Sequence, residues 1–245
     1  MSLWLFLPEN WRSDIARMDK AGVPRPLQEY RTKPEIAIEE IARIIAAGVR
    51  FGCVLADAGY GLSALFRQAL STRGLCWAVG IPQHQKVYPA DVQLIFPVAR
   101  RGRPRVRHIP DVKSMAPHAM LEVATGQLRK GTKGRLTVRF AAIRVRIADG
   151  APQRIRSAGA QHMPGEEAWL VGENRSNGER KYYLSNLPAQ TSIRELAGAI
   201  KARWICEQDQ SATQGGTWPH FEGRSWTGLH RHSLMTMMAN VFLQT

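Results

Sequence analysis

Cysteine is scarce in this chain, acids are outnumbered and no apolar run is long. The three cysteines, Cys53, Cys76 and Cys206, show no CxxC spacing. Each lies in an apolar segment, which fits reduced, buried thiols in a cytoplasmic protein and argues against a disulfide framework or a cysteine-built metal site. No apolar run reaches the ~20 residues that cross a bilayer, so no membrane role is expected. The opening Met-Ser-Leu-Trp-Leu-Phe-Leu-Pro has neither a basic start nor a small-residue cleavage site and does not read as a secretory signal. What remains is ample apolar sequence: 44% of 245 residues, enough for one sizeable core with room for an inserted subdomain.

The shortage of acids is local. Between Arg100 and Arg156 there are fifteen Lys and Arg against Asp111, Glu122 and Asp149, so this segment carries +12 of the chain's +14. Basic charge gathered in one segment points to a polyanion, and nucleic acid is the commonest one for a soluble protein. The competing reading is a solvated basic face that aids solubility. The tract Arg100, Arg101, Arg103, Arg105 and Arg107, interrupted by Gly102 and Pro104, is expected to be a mobile basic loop. With Lys130 and Lys133 it is the expected DNA-binding set.

One stretch organises the rest. Phe51-Gly52-Cys53-Val54-Leu55-Ala56-Asp57-Ala58-Gly59-Tyr60-Gly61 is a short apolar run ending on one acid and two glycines. Such a run reads as a buried strand of an α/β sheet. An acid at the carboxyl end of such a strand stands where open sheets place their ligands. Gly59 and Gly61 are expected to let the backbone turn sharply. Asp57 is then either a helix cap or a functional acid.

On either side the pattern alternates. Leu3 to Leu7 suits a strand, and residues 9 to 31 look irregular. Thr32-Lys33-Pro34-Glu35 predicts a capped helix with Ile38, Ile41 and Ile45 on its apolar face, ended by Gly48. Ser63 caps a second helix, closed by Gly74, and Leu75 to Ile81 is another strand. Helix, strand, helix and strand joined by short loops predict a largely parallel sheet covered by helices. From Pro82 the chain changes to short alternating runs rich in Arg, Gly and Pro. Strands are expected at 136–140, 143–147 and 169–171. Ser192-Ile193-Arg194-Glu195 opens a late helix whose buried stripe holds Ile193, Leu196, Ile200 and Trp204. Arg203 and Glu207, four residues apart, share a face of it. Gly215, Gly216 and Pro219 break it, and Leu234 to Phe242 is a last apolar helix.

Three segments together resemble the bacterial insertion-sequence DDE transposases: Val54 to Gly61, Arg203-Trp204-Ile205-Cys206-Glu207-Gln208, and His220-Phe221-Glu222-Gly223-Arg224-Ser225-Trp226. The similarity runs along nearly the whole chain. It implies an α/β fold of the ribonuclease-H type, a mixed sheet with flanking helices interrupted by a β-rich basic insertion. The parts would be 1–82 and 186–245 as core and 83–185 as insertion. It also implies three carboxylates holding two Mg²⁺ or Mn²⁺ ions, which catalyse hydrolysis and strand transfer at DNA phosphodiesters. Asp57 would be the second acid and Glu207 the third. Arg203 would orient a carboxylate or meet a phosphate. The implied partners are transposon ends and target DNA, with a homo-oligomer forming the synaptic complex near the bacterial nucleoid.

The chain departs from that pattern in three places. The family's first aspartate sits on a strand upstream of where this sequence begins. Glu9 and Asp14 fall in loop sequence and do not replace it, so the chain reads as the C-terminal part of a longer transposase. Ile200 stands where the family often has Tyr. Finally, Gln214-Gly215-Gly216-Thr217-Trp218-Pro219 replaces a region expected to hold a Lys. One back-translation of it, CAAGGAGGAACTTGGCCT, reads Lys-Glu-Glu-Leu-Gly-Leu when moved by one nucleotide. The expectation is a frameshifted patch over 211–219, restored before His220, which the gene's codons can decide. The alternative reading is a DNA-binding remnant without catalysis. A different ribonuclease-H-like nuclease would need an early strand-borne acid. A zinc protein built on Cys206, His220, His230 and His232 lacks a recognised ligand spacing.

Overall fold

The structure is a computed structural model that describes residues 6–96, 107–125, 129–133, 136–155, 159–203, 225–228, 230–231 and 235. The chain forms two compact units, residues 1–50 with 204–245, and residues 51–203.

In the first unit the polar stretch after residue 8 is more ordered than its composition predicts. Helix α1 (Glu9–Arg12) leads to α2 (Ile15–Ala21). Asp14 caps α2 by accepting from the Arg17 amide at 2.9 Å, and Gly22 closes it at φ 75°. Gln28 folds back onto Asp19 and the Val23 carbonyl, at 2.8 and 2.9 Å. These local polar bonds, with Met18 and Val23 buried, supply the order that apolar periodicity did not signal. Helix α3 (Lys33–Ala46) begins with the capping box expected of Thr32 and Glu35, and Gly48 follows it at φ 78°.

The second unit is built on a sheet. In chain order it comprises β1 (Val54–Ala56), α4 (Ala58–Gly61), α5 (Ala64–Thr72), β2 (Trp77–Ile81), β3 (Val87–Pro89), β4 (Leu94–Ile95), β5 (Ile109–Pro110) and α6 (Pro117–Thr125). There follow β6 (Arg129–Lys133), β7 (Leu136–Ile147), β8 (Pro152–Ile155), β9 (Gly159–His162), β10 (Glu167–Arg175), β11 (Arg180–Ser185) and a helix α7 over 193–203. Seven strands share the main sheet, in the order β1-β2-β11-β10-β7-β3 with β6 also on β7. Among the described residues of this sheet β1 and β2 pair in parallel and the other pairs are antiparallel, so the sheet is mixed rather than largely parallel as the helix–strand alternation suggested. The two expected strands at 136–140 and 143–147 are one continuous strand, β7, because Ala141 and Ala142 carry the alternation through.

Strand parity sets the layers. Ala78, Phe140 and Val171 face Leu196 and Ile200 of α7. On the opposite face Trp77 donates its indole N–H to Ser71 of α5 at 3.0 Å, and Leu121 of α6 lies over Gly172. Helices on both faces of a mixed sheet give the ribonuclease-H-like α/β arrangement. The sheet's centre is locked by Asn186, which accepts from the Trp77 amide at 2.7 Å and donates to the Leu75 carbonyl at 2.9 Å. The buried Ser185 hydroxyl donates to the Trp77 carbonyl.

Glycines at the Asp57 turn act by size. Neither Gly59 nor Gly61 has a positive φ, so the sharp turn there does not rely on left-handed backbone. A Cβ on Gly61 would lie 1.9 Å from the Gly80 carbonyl oxygen, and one on Gly80 3.1 Å from the Ala58 amide nitrogen. Two bare backbones thus touch, and α4 lies directly on β2. Gly61→Ala is expected to destabilise the unit by about 2–3 kcal/mol, since backbone must move to admit the methyl. Gly59→Ala meets only the flexible Asp57 Oδ1 at 3.1 Å. Its expected cost is below about 1 kcal/mol. Urea unfolding of both variants measures the contrast.

Candidate active site

Asp57 follows β1 and starts α4. Its Oδ1 accepts from the backbone amides of Gly59 at 2.8 Å and Tyr60 at 3.2 Å. The residue is exposed, and among the described residues Oδ2 makes no hydrogen bond. The cap and the functional acid are therefore compatible: one oxygen holds the helix and the other takes no part in the capping bonds. Such an oxygen suits a hard divalent cation.

The turn is braced from below. Arg67 of α5 is 1% exposed and donates to the Gly61 carbonyl through Nη1 and to Asp149 Oδ2 through Nη2, the latter at 2.6 Å. Asp149 follows β7, so a buried ion pair ties the end of α4 to the segment after β7. Arg67 Nε and Asp149 Oδ1 find no partner among the described residues. One-sided loss of either charge would therefore leave a buried ion with still less compensation.

Beside β1, Cys53 and Cys76 immediately precede the paired residues Val54 and Trp77, and both are half-buried. Burial, with Cys76 adding to it, pushes the Cys53 thiol up to about 11. It is an unreactive thiol at neutral pH.

Helix α7 is fixed by the second charge cluster. Ser192 caps it, with the Glu195 carboxylate accepting from the Ser192 amide at 2.8 Å and the Glu195 amide donating to the Ser192 hydroxyl at 3.3 Å. Beneath it the Glu173 carboxylate, 0% exposed, accepts from Lys201 Nζ at 2.6 Å, Arg175 Nε at 2.8 Å and the Tyr183 hydroxyl at 2.8 Å. Burial alone would raise the Glu173 pKa, but the bonds from Lys201, Arg175 and Tyr183 outweigh it and hold it below the usual range. Burial and the same carboxylate push the Tyr183 hydroxyl far up. Sequence reading missed this hub. Its signal was parity: Glu173 alternates with Trp169 and Val171 on the face that α7 covers.

Arg203 is the last described residue of α7 and is half-exposed. Its charge acts on the Tyr183 hydroxyl. Glu207 lies outside the described residues, as do Arg100, Arg101, Arg103 and Arg105. Arg107 is exposed just before β5. Lys130 and Lys133 lie on β6, in register with Arg139 and Leu136. His230 stacks on Trp226 at 4.2 Å between ring centroids. Among the described residues no three His, Cys, Asp or Glu side chains converge as a metal-binding group, and no helix is long and apolar enough to cross a membrane.

Residues 1–142 match the family described as DDE superfamily endonuclease. The chain belongs to that family. The matched span of this DDE endonuclease chain includes Asp57 and the α4–β2 contact and ends within β7, whereas β10, β11 and α7 lie beyond it. No curated protein matches the chain. Membership implies nuclease-type chemistry on DNA assisted by divalent metal.

Glu173 generates a pH signature. Its pKa is lowered on folding, so its contribution is present above the unfolded carboxylate value of about 4.3 and lost as pH falls through the folded value. Glu173→Gln is expected to flatten the acid limb of a stability-against-pH curve. Glu173→Ala is expected to cost about 2–3 kcal/mol at pH 7, below the roughly 3–5 of a sealed pair because Lys201 and Arg175 keep partial access to water. Urea unfolding between pH 3 and 7 measures both.

Proposed function

We propose that the chain is a portion of the catalytic domain of a bacterial insertion-sequence DDE transposase, with Asp57 as the second acid of its metal site and Glu207 as the third. The observation that carries the reading is the placement of Asp57. It ends a strand, is exposed, keeps one carboxylate oxygen outside its capping bonds, and lies in the span that matches the family. In the assembled site Mg²⁺ or Mn²⁺ would activate the attacking oxygen and offset charge on the leaving one. This chain's part is to present the carboxylate of Asp57 on a turn held rigid by Gly61, Gly80 and Arg67. Arg203 would meet phosphate or orient the acid beside it. Residues 1–82 and 186–245 would contribute the acids, and 83–185 would carry the basic segment while its strands β3, β7, β10 and β11 complete the sheet begun by β1 and β2. Arg100, Arg101, Arg103, Arg105, Arg107, Lys130 and Lys133 would hold DNA phosphates. The setting would be the bacterial cytoplasm at the nucleoid, with synapsis in a homo-oligomer.

A second reading, a DNA-binding remnant without catalysis, has an observation of its own. Among residues 6–50 no acid lies on a strand. Glu9 is in α1, Asp14 caps α2, Asp19 bonds Gln28, and Glu29 lies in a bend. Glu35 closes the α3 capping box, Glu39 pairs with Arg31, and Glu40 pairs with Arg43. No first acid is available among them to complete a two-metal set.

The given chain is therefore expected to bind duplex DNA without cutting it. Affinity should fall by about two to three orders of magnitude between 50 and 200 mM salt if about five phosphates are contacted. Salt-independent binding, or none, would remove the nucleic-acid reading. Supercoiled DNA with Mg²⁺ or Mn²⁺ should show no nicking above background. Metal-dependent nicking abolished in Asp57→Asn, which keeps the cap, would overturn the remnant reading and establish catalysis.

A further inference from the structure

We propose a second phosphate-contacting surface, separate from the Arg100–Arg107 tract: a cationic row that runs across four strands and fits the backbone of duplex DNA. Lys130 of β6 is registered with Arg139 of β7, Arg139 with Asn174 of β10, and Asn174 with Arg180 of β11. Cross-strand partners project to one face of a sheet, and neighbouring strands are about 4.8 Å apart. The row therefore spans about 14 Å, over which a duplex presents roughly eight phosphate charges at one per ~1.7 Å of axis. Three of its four positions are cationic, and the fourth is an amide that can donate to a phosphate oxygen.

The neighbouring row shows that this placement is specific. Arg129, Phe140, Glu173 and Lys181 are also in register. Phe140 and Glu173 of that row face α7, and the carboxylate is consumed by Lys201, Arg175 and Tyr183. Arg139, Asn174 and Arg180, each one residue along its strand from that row, have the opposite parity. Arg139 is exposed. Arg180 is 56% exposed and meets one acid, Glu122 of α6, at 3.5 Å. That carboxylate is itself 67% exposed. An exposed pair at that separation is weak, so Arg180 can exchange Glu122 for a phosphate at little cost. Glu122 is then a built-in competitor for the site.

The surface rests on the DNA reading above, and its test separates the two. Binding of a fluorescent duplex is measured against salt for the full chain, the Arg139→Gln/Arg180→Gln variant, the Glu122→Gln variant and a variant with Arg100, Arg101, Arg103, Arg105 and Arg107 neutralised. The double variant is expected to bind about tenfold or more weakly at low salt, with the log–log salt slope reduced by about 2. Glu122→Gln, a change of opposite sign, is expected to tighten binding two- to threefold. Circular dichroism and thermal unfolding check that both remain folded. If the chain binds DNA and the five-arginine variant weakens it, while the double variant keeps the wild-type affinity and slope, this surface is refuted and the DNA reading stands. If the unaltered chain binds no duplex, both fall together.

Discussion

A carboxylate withdrawn from water must be enclosed by donors, and Glu173 is the place where this chain meets that demand. Lys201 comes from α7, Arg175 from its own strand β10 and Tyr183 from β11. The helix therefore cannot slide along or roll on the sheet without uncovering an ion. Apolar packing of Leu196 and Ile200 holds α7 down, but such contacts tolerate small shifts in register. The charge cluster removes that tolerance. It fixes the phase of the helix, and with it the place of Arg203 near Tyr183.

The Asp57 turn is fixed by a different device. Two glycines bring backbone against backbone, and Arg67 then ties the end of α4 to Asp149. The two devices have different sensitivities. Glycine contact is indifferent to pH and salt, whereas the Glu173 cluster depends on ionisation.

Much of the arrangement was legible in the sequence because it is local. Caps at Thr32, Ser63 and Ser192, glycine stops at Gly48 and Gly74, and the strands at 54–56 and 77–81 are all written within a few residues of where they act. The order in residues 9–28 was hidden because side-chain to backbone bonds, rather than apolar periodicity, create it. Long-range features were less visible. Nothing near Arg67 announces Asp149, and Gly61 meets Gly80 only once the sheet has formed. Glu173 and the cationic row were accessible in principle through strand parity, but only with the register of four strands in hand. As for the site, Asp57 was legible as a strand-end acid and as a candidate helix cap, and the geometry shows that capping occupies only one of its oxygens.

If Asp57 is a metal ligand as proposed, its double duty has an evolutionary corollary. A residue that both caps a helix and presents a charge is retained under two pressures. Mutations that abolish DNA cutting elsewhere in the chain would relieve only one of them. Relatives that had lost cutting would keep an aspartate or asparagine at this turn for the sake of the fold, long after selection for cutting had lapsed. Drift from aspartate to asparagine there, neutral for the cap and fatal for a metal ligand, would mark the loss of function more faithfully than outright disappearance of the side chain.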